Sequence, residues 1–343
     1  MHQPGPDQKE WKGGIPKRIL LIRLQAIGDT ILMLPFAENF RRQLPEHSEI
    51  DLLTREVMDE VPNNIFLFRK VYAIKGGRSS KKQLISLLTI LPLLLARRYD
   101  AVLDLQNNRI SRIARKTLRP GCWSQFDTQS PIPALRRYEK AILSSGIVKE
   151  ISPSYGFKLK SKQVIDKAVI DHRGKLVLLN PAGAFETRNW PLEKYIAFSE
   201  LWLKEYPDTK FLFLGLSTMK VKSAYLKEKL GGHAIDLTGR TSQLEVLEIL
   251  KYVSLTVSED SGLLHMSYLS GIPSIGMLGS TRNDWTNPQL NHTYFYHSSD
   301  LPCGNCMRET CSRGDNLCMT RIDPADVFRQ AKKLITAYPQ PVL

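Results

Sequence analysis

Two short stretches hold residues whose types and spacing can do chemistry. The first is Glu259-Asp260-Ser261-Gly262, with His265 three residues on. It follows the apolar run LTVSE and opens a short helical segment. Asp260 or Ser261 can cap that helix, and Gly262 lets a ligand approach the backbone. A helix that opens directly after a parallel strand points free N–H groups and the positive end of its dipole outward, which suits a diphosphate. His265 falls about one turn into the helix and can face the same side. An ordinary capped helix would use the same residues. The second stretch is RLQAIGD, from Arg23 to Asp29. Gly28 permits a close turn, and Asp29 stands where a helix begins. A carboxylate there either caps the helix or takes a proton from a bound hydroxyl as general base. Arg23, at the strand end, can hold that carboxylate or an anionic group of a substrate.

A third loop, NPAGAFETRNWP from Asn180 to Pro191, has small residues that let backbone N–H groups reach a ligand. Arg188 adds a fixed charge able to bridge two phosphate oxygens. The order of the elements predicts that this loop and the Asp260–Gly262 turn follow neighbouring strands and clamp a diphosphate from two sides. Cys303, Cys306, Cys311 and Cys318 cluster near the C-terminus without a His among them. They fit either a small zinc or iron knuckle or a set of reduced thiols. No G-x-G-x-x-G follows the first strand, and there is no P-loop, Ser elbow or zinc-protease helix. This argues against a dinucleotide oxidoreductase and a kinase or ATPase of the usual kinds.

The elements that must position these residues alternate. Apolar runs at Lys17–Leu24, Ile50–Leu53, Val71–Gly77 and Ala101–Gln106 read as strands, with helices between them. One helix is expected to start at Thr30, with Pro35 near its first turn. Ser79–Arg98 is apolar nearly all round, so burial between layers is expected, although its basic ends would suit a membrane surface. After a polar, Lys-rich stretch from Val148 to Lys175 the alternation resumes. The chain is therefore α/β, with two doubly wound parallel sheets whose ligands belong at the carboxyl ends of the strands.

The 343 residues carry a formal charge of +14. Between Arg69 and Lys140 there are sixteen Lys/Arg against four Asp/Glu, so that segment alone carries +12. Such concentration points to an anionic partner or else to a solvated face. The first residues lack the apolar centre of a signal peptide and read as a loose tail. No apolar stretch is long enough to span a membrane.

RLQAIGDTILMLP, NPAGAFETRNWP, and SEDSGLLHMSYLSGIPSIGMLGST followed by PCGNCMRETCSRGDNLCM resemble glycosyltransferase family nine, the bacterial lipopolysaccharide heptosyltransferases that use ADP-heptose. The resemblance runs from about Lys17 to Arg329. It implies a GT-B fold: α/β, with two Rossmann-like doubly wound domains facing a central cleft. After a flexible tail at 1–16, residues 17–160 would form the acceptor-binding domain. Residues 161–343 would form the nucleotide-sugar domain, with the Cys-rich loop 303–318 and a closing helix.

The resemblance implies Asp29 as catalytic base with Arg23 beside it. It assigns Arg188, Asp260, Ser261, Gly262 and His265 to the donor; the basic segment, with Arg109 and Arg112, is expected to face the acceptor. No metal and no cofactor is required beyond the donor substrate ADP-heptose. The implied partners are a phosphorylated lipid-linked acceptor and an anionic membrane surface, not nucleic acid. The implied location is cytoplasmic, peripheral at the inner membrane. The sequence also departs from the family. The loop Ala182–Glu186 lacks a Thr pair, and Gly215–Ala224 offers no acid for the ribose hydroxyls, where Ser217 or Thr218 can substitute. Thr241 is expected near the adenine. Two alternatives stand: a glycosyltransferase of the same fold with another nucleotide-sugar or acceptor, or a basic nucleic-acid-binding protein with a Cys knuckle. The second lacks exposed aromatics interleaved with its basic residues.

Overall fold

A computed structural model describes residues 8–77, 79–153 and 158–339. The chain divides into two compact units, Met1–Ser161 and Lys162–Leu343. In the first unit the strands β1 (Arg18–Ile22), β2 (Glu49–Arg55), β3 (Lys70–Ile74), β4 (Ala101–Asp104) and β5 (Cys122–Gln125) form one parallel sheet in the order β3-β2-β1-β4-β5. The helices α1 (Ile27–Arg42), α2 (Ser80–Ala96), α3 (Arg109–Leu118) and α4 (Ala134–Leu143) accompany it. Residues Ile19–Ile22 of the central strand are fully buried, which is why RILLI is an unbroken apolar run rather than an alternating one.

The second unit repeats the plan. Its strands are β6 (Leu176–Asn180), β7 (Lys210–Phe213), β8 (Ala234–Asp236), β9 (Leu255–Glu259), β10 (Ser274–Met277) and β11 (Thr293–Tyr296), in the parallel order β11-β10-β9-β6-β7-β8. Its helices are α5 (Leu192–Glu205), α6 (Lys220–Leu230), α7 (Gln243–Ile249), α8 (Gly262–Leu269) and α9 (Pro324–Ala337). In each sheet the chain reverses its direction of winding once, between β1 and β4 and between β6 and β9. A crevice opens at the carboxyl ends of the strands at such a switch point, and Arg23, Asp29, Arg188 and Asp260 all follow these strands.

Several expectations need correcting. Helix α1 begins at Ile27, so Asp29 lies inside its first turn and Pro35 is an interior residue, fully packed in the core. Strands β5 and β11 were not expected. Both are four-residue edge strands, too short and too mixed in polarity for a period to register. The tail is not loose over its described part: Lys9 bridges antiparallel to Trp123 of β5, and the Trp11 backbone N–H donates to the Ser145 carbonyl. Residues 1–7 lie outside the described ones. Helix α2 is not buried between layers. Only Gln83, Leu87 and Leu94 are buried, while Ile85, Leu88, Leu93 and Leu95 are exposed.

The basic run of α3 is likewise divided. Arg109, Arg112 and Lys116 face solvent, but Arg115 is buried, 3.6 Å from the fully buried Asp104 and stacked 3.8 Å from the Trp123 ring centroid. Removing one partner of a buried ion pair strands the other charge. Arg115→Ala is therefore expected to lose about 3 kcal/mol of unfolding free energy in urea, and Arg112→Ala less than about 0.5 kcal/mol. Equal losses would contradict this division of the helix.

Candidate active site

In the first unit the site is built around Arg23, which leaves β1 pointing into the protein and is only 5% exposed. Its Nη1 donates to the Leu105 carbonyl at 2.6 Å, and its Nη2 lies 2.6 Å from Asp29 Oδ2. The guanidinium sits 5.4 Å from the ring centroids of both Phe126 and Tyr138, a cation–π setting that fixes its plane. Burial works against this charge, but Tyr138 and Asp29 more than offset it, and the net displacement of the pKa is upward.

Asp29 is both cap and ion-pair partner. Its Oδ2 accepts the Ala26 N–H at 3.2 Å, and its own carbonyl accepts the Tyr138 hydroxyl at 3.0 Å. Both side-chain contacts fall on Oδ2, and the side chain is 37% exposed. Gln106 supports the turn from across the switch point, accepting the Leu24 and Gln25 N–H groups at 3.1 and 3.0 Å. A cavity of about 330 Å³ lies on the same unit, lined by Gln125, Asp127, Ser130, Arg137 and Lys140 among others. Among the described residues Arg109 and Arg112 make no bond to the Arg23–Asp29 group. They stand on the outer face of α3.

In the second unit the loop after β6 and the turn after β9 do come together, as expected of adjacent strands. Arg188 Nη1 lies 3.0 Å from Asp260 Oδ2, which also accepts the Thr281 hydroxyl at 2.7 Å. The guanidinium stacks 4.3 Å from the Phe185 ring centroid. Ser261, not Asp260, is the N-cap of α8, accepting the Leu264 N–H. Asn180 Nδ2 donates to both Ser258 and Ser261 at 2.7 Å. Gly262 opens the helix, and His265 turns along it, with Nδ1 2.6 Å from the Tyr268 hydroxyl oxygen. Ser217 and Thr241 belong to the loops after β7 and β8, which are joined by the Gly239 N–H to the Gly215 carbonyl at 2.7 Å. The buried Arg188 Nε, Asn180 Oδ1 and Thr241 Oγ1 have no hydrogen-bond partner among the described residues.

Sequence reasoning gave no role to Glu259, Gln106 or Lys222, and of these Glu259 does most to shape the site. It ends β9 with no exposure, and its two oxygens accept the Gly183 and Trp190 N–H groups at 2.6 and 2.7 Å. It thereby folds the loop that carries Arg188. Gly183 is required there, because a Cβ would lie 2.8 Å from Glu259 Oε2 and 2.7 Å from the Arg188 carbonyl. Lys222 of α6 ties the same loop from its other side, donating to Pro181 O and Asn189 Oδ1, each at 2.9 Å. The available signal was an acid at the last position of a strand otherwise fit for burial. The four clustered cysteines are free thiols at the surface or partly buried. Among the described residues no group of three or more His, Cys, Asp or Glu side chains is placed to hold a metal.

The model of glycosyltransferase family 9 (heptosyltransferase) matches residues 135–316, more than half of the chain. The chain belongs to glycosyltransferase family 9. It is 26% identical to lipopolysaccharide heptosyltransferase 1 of Campylobacter coli, over 92% of this chain and 98% of that protein. The solved structure of a family 9 glycosyltransferase from Veillonella parvula superposes with a TM-score of 0.73 at 18% identity, covering 94% of this chain and 97% of that one. The E. coli ADP-heptose lipopolysaccharide heptosyltransferase II structure gives 0.67 at 15% identity, covering 93% and 99%. The two parallel-sheet units are thus those of the GT-B fold, and the family member is a glycosyltransferase.

Burial pushes the Glu259 carboxyl up to about 7, against the opposing effects of Lys222, the Gly183 and Trp190 N–H groups and Tyr195. A carboxyl raised in the folded state binds more protons folded than unfolded between its two values. Its stabilising contribution is complete below about pH 4.5 and is lost as pH rises to about 7. The stability of wild type relative to Glu259→Gln is expected to fall by about 3 kcal/mol from pH 4.5 to 8 in urea titrations. Parallel pH curves would contradict a titrating carboxyl at this position.

Proposed function

We propose that this glycosyltransferase moves heptose from ADP-heptose to a hydroxyl of the lipopolysaccharide inner core, with inversion at the anomeric carbon. The observation that carries the reading is Arg188, held beside Asp260 at the start of α8 with a buried Nε that nothing described satisfies. A diphosphate would supply that acceptor and would meet the free N–H groups of the helix. The names of relatives agree with the reading. The Campylobacter coli protein is called a lipopolysaccharide heptosyltransferase, and the E. coli one an ADP-heptose heptosyltransferase.

In this scheme the second unit holds the donor. Arg188 and the N–H groups opening α8 stabilise negative charge as it grows on the departing ADP, the role a metal ion plays elsewhere. Asp260, Ser261, Gly262 and His265 shape the sugar-diphosphate side. Ser217 stands near the ribose in place of an acid, and the Thr241 hydroxyl near the base. Asp29 takes the proton of the acceptor hydroxyl as it attacks, while Arg23 holds the carboxylate in position. Arg109 and Arg112 receive phosphates of the lipid-linked acceptor. The protein acts at the cytoplasmic face of the inner membrane as a peripheral protein, and no helix among the described residues is long and apolar enough to cross it. Because Ser217 is a neutral ribose partner, a different nucleotide-sugar is the second reading.

A thermal-shift screen of ADP-heptose, ADP-glucose and UDP-sugars separates the two readings, since a ligand that binds only the folded state raises the melting temperature. ADP-heptose is expected to protect most. Arg188→Ala should raise the donor dissociation constant and slow turnover as well, because charge on the leaving group increases as the bond breaks. Arg188→Lys should recover much of both. Protection by UDP-sugars alone, or unchanged donor affinity in Arg188→Ala, would contradict the assignment.

A further inference from the structure

Helix α2 has two apolar faces, and the core uses only one of them. Leu87 and Leu94 pack into the cluster of Leu20, Tyr72, Val102 and Ile110. At 3.6 residues per turn, Ile85, Leu88, Pro92, Leu93 and Leu95 fall within one outward arc of about 160°. All five are exposed, with Ile85 at 64%, Leu93 at 56% and Leu88 at 54%. A surface helix ordinarily turns polar residues to water on this side. Contiguous apolar exposure of this kind marks a docking surface.

The surroundings indicate what docks. The sequence from Lys75 to Arg98 contains no Asp or Glu. Lys81 and Lys82 stand exposed on the first turn of α2, and Arg98 stands exposed just after its end. Helix α3 packs against α2 and also lacks an acidic residue. It carries Arg109, Arg112, Lys116 and, at its C-cap, Arg119 toward solvent along one stripe. An apolar strip bordered by cations, with no acidic residue on either helix, is complementary to a bilayer whose headgroups are anionic. The acyl boundary takes the leucines, and the headgroups take the lysines and arginines. A protein partner of comparable fit would have to bring both an apolar face and a surplus of acids.

We infer that α2 is the membrane-docking element of this chain, lying flat on an anionic bilayer with Ile85, Leu88, Leu93 and Leu95 buried in the headgroup–acyl boundary and the α3 stripe on the headgroups. This rests on the peripheral-membrane part of the reading above and not on the transfer chemistry. It adds that the attachment is partly apolar. Charge alone would be screened away by salt, whereas an inserted helix face would hold.

The test is co-sedimentation of the full chain with vesicles of phosphatidylethanolamine and phosphatidylglycerol at low and at about 0.5 M salt, where the Debye length is only a few ångströms. Wild type is expected to bind at both, more weakly at high salt. Ile85→Gln/Leu88→Gln changes only exposed side chains. It is expected to keep the wild-type melting temperature and to lower the high-salt partition coefficient at least tenfold. Transfer to a water-soluble, deacylated acceptor is measured in parallel and should be unchanged in the double variant. Wild-type transfer without vesicle binding would overturn the inference and leave the function standing. Vesicle binding without any nucleotide-sugar turnover would do the reverse. Unchanged high-salt partition in the double variant would overturn the inference. So would sedimentation showing a wild-type dimer that the variant dissociates, because the face would then belong to a second copy of the chain.

Discussion

Each unit depends on one buried ionisable side chain at the carboxyl end of a central strand. In the second unit it is Glu259, whose two oxygens hold the Gly183 and Trp190 N–H groups. In the first it is Arg23, which fastens the Leu105 carbonyl and Asp29 between two aromatic rings. An ion taken out of water costs several kcal/mol unless its hydrogen-bonding capacity is met. Glu259 meets it with two loop N–H groups, and Arg23 meets it in part, through the Leu105 carbonyl and Asp29, while its buried Nε has no partner among the described residues. The loops are therefore fixed to the sheet, and the side chains they carry, Arg188 and Asp29, are held before any substrate arrives. Preorganisation of this kind is what electrostatic stabilisation of a transition state requires.

The two charges are of opposite sign, and so are the groups they present. A buried carboxyl orders the loop that carries a cation, Arg188, and a buried guanidinium is paired with a carboxylate, Asp29; in the proposed mechanism the first meets an anionic leaving group and the second a hydroxyl. Arg188 rests on Asp260 and Phe185. A diphosphate need only compete with one carboxylate for it, in a place where Arg188 Nε already lacks a partner among the described residues.

Much of the fold was legible because buried parallel strands are apolar without interruption: RILLI, LVLLN and LTVSE announce themselves. The edge strands CWSQ and TYFY do not, since four residues of mixed polarity carry no period. The amphipathic division of α2 was hidden for the opposite reason. With apolar residues on both faces, hydrophobicity alone cannot tell core from surface, and burial was the wrong choice. At the sites, Asp29, Arg188, Asp260 and Ser261 stand out in the sequence because their types and neighbours are unusual. Whether Asp260 or Ser261 caps α8 depends on backbone geometry that spacing leaves open. Glu259, Gln106 and Lys222 escaped because their work is done on backbone groups far away in sequence, such as Pro181 for Lys222 and Leu24 for Gln106.

In the proposed mechanism Asp29 is the base and not merely the N3 residue of a helix cap. Asn keeps the shape of Asp and an oxygen able to accept the Ala26 N–H, but it cannot take a proton. A placed general base contributes about a hundredfold to ten-thousandfold. The direct measurement is turnover per folded molecule of Asp29→Asn, with donor affinity and melting temperature determined on the same preparation. Near-wild-type folding and donor binding are expected, with turnover reduced at least about a hundredfold. A variant that melts well below wild type yet keeps its activity per folded molecule would make Asp29 a cap and contradict the mechanism.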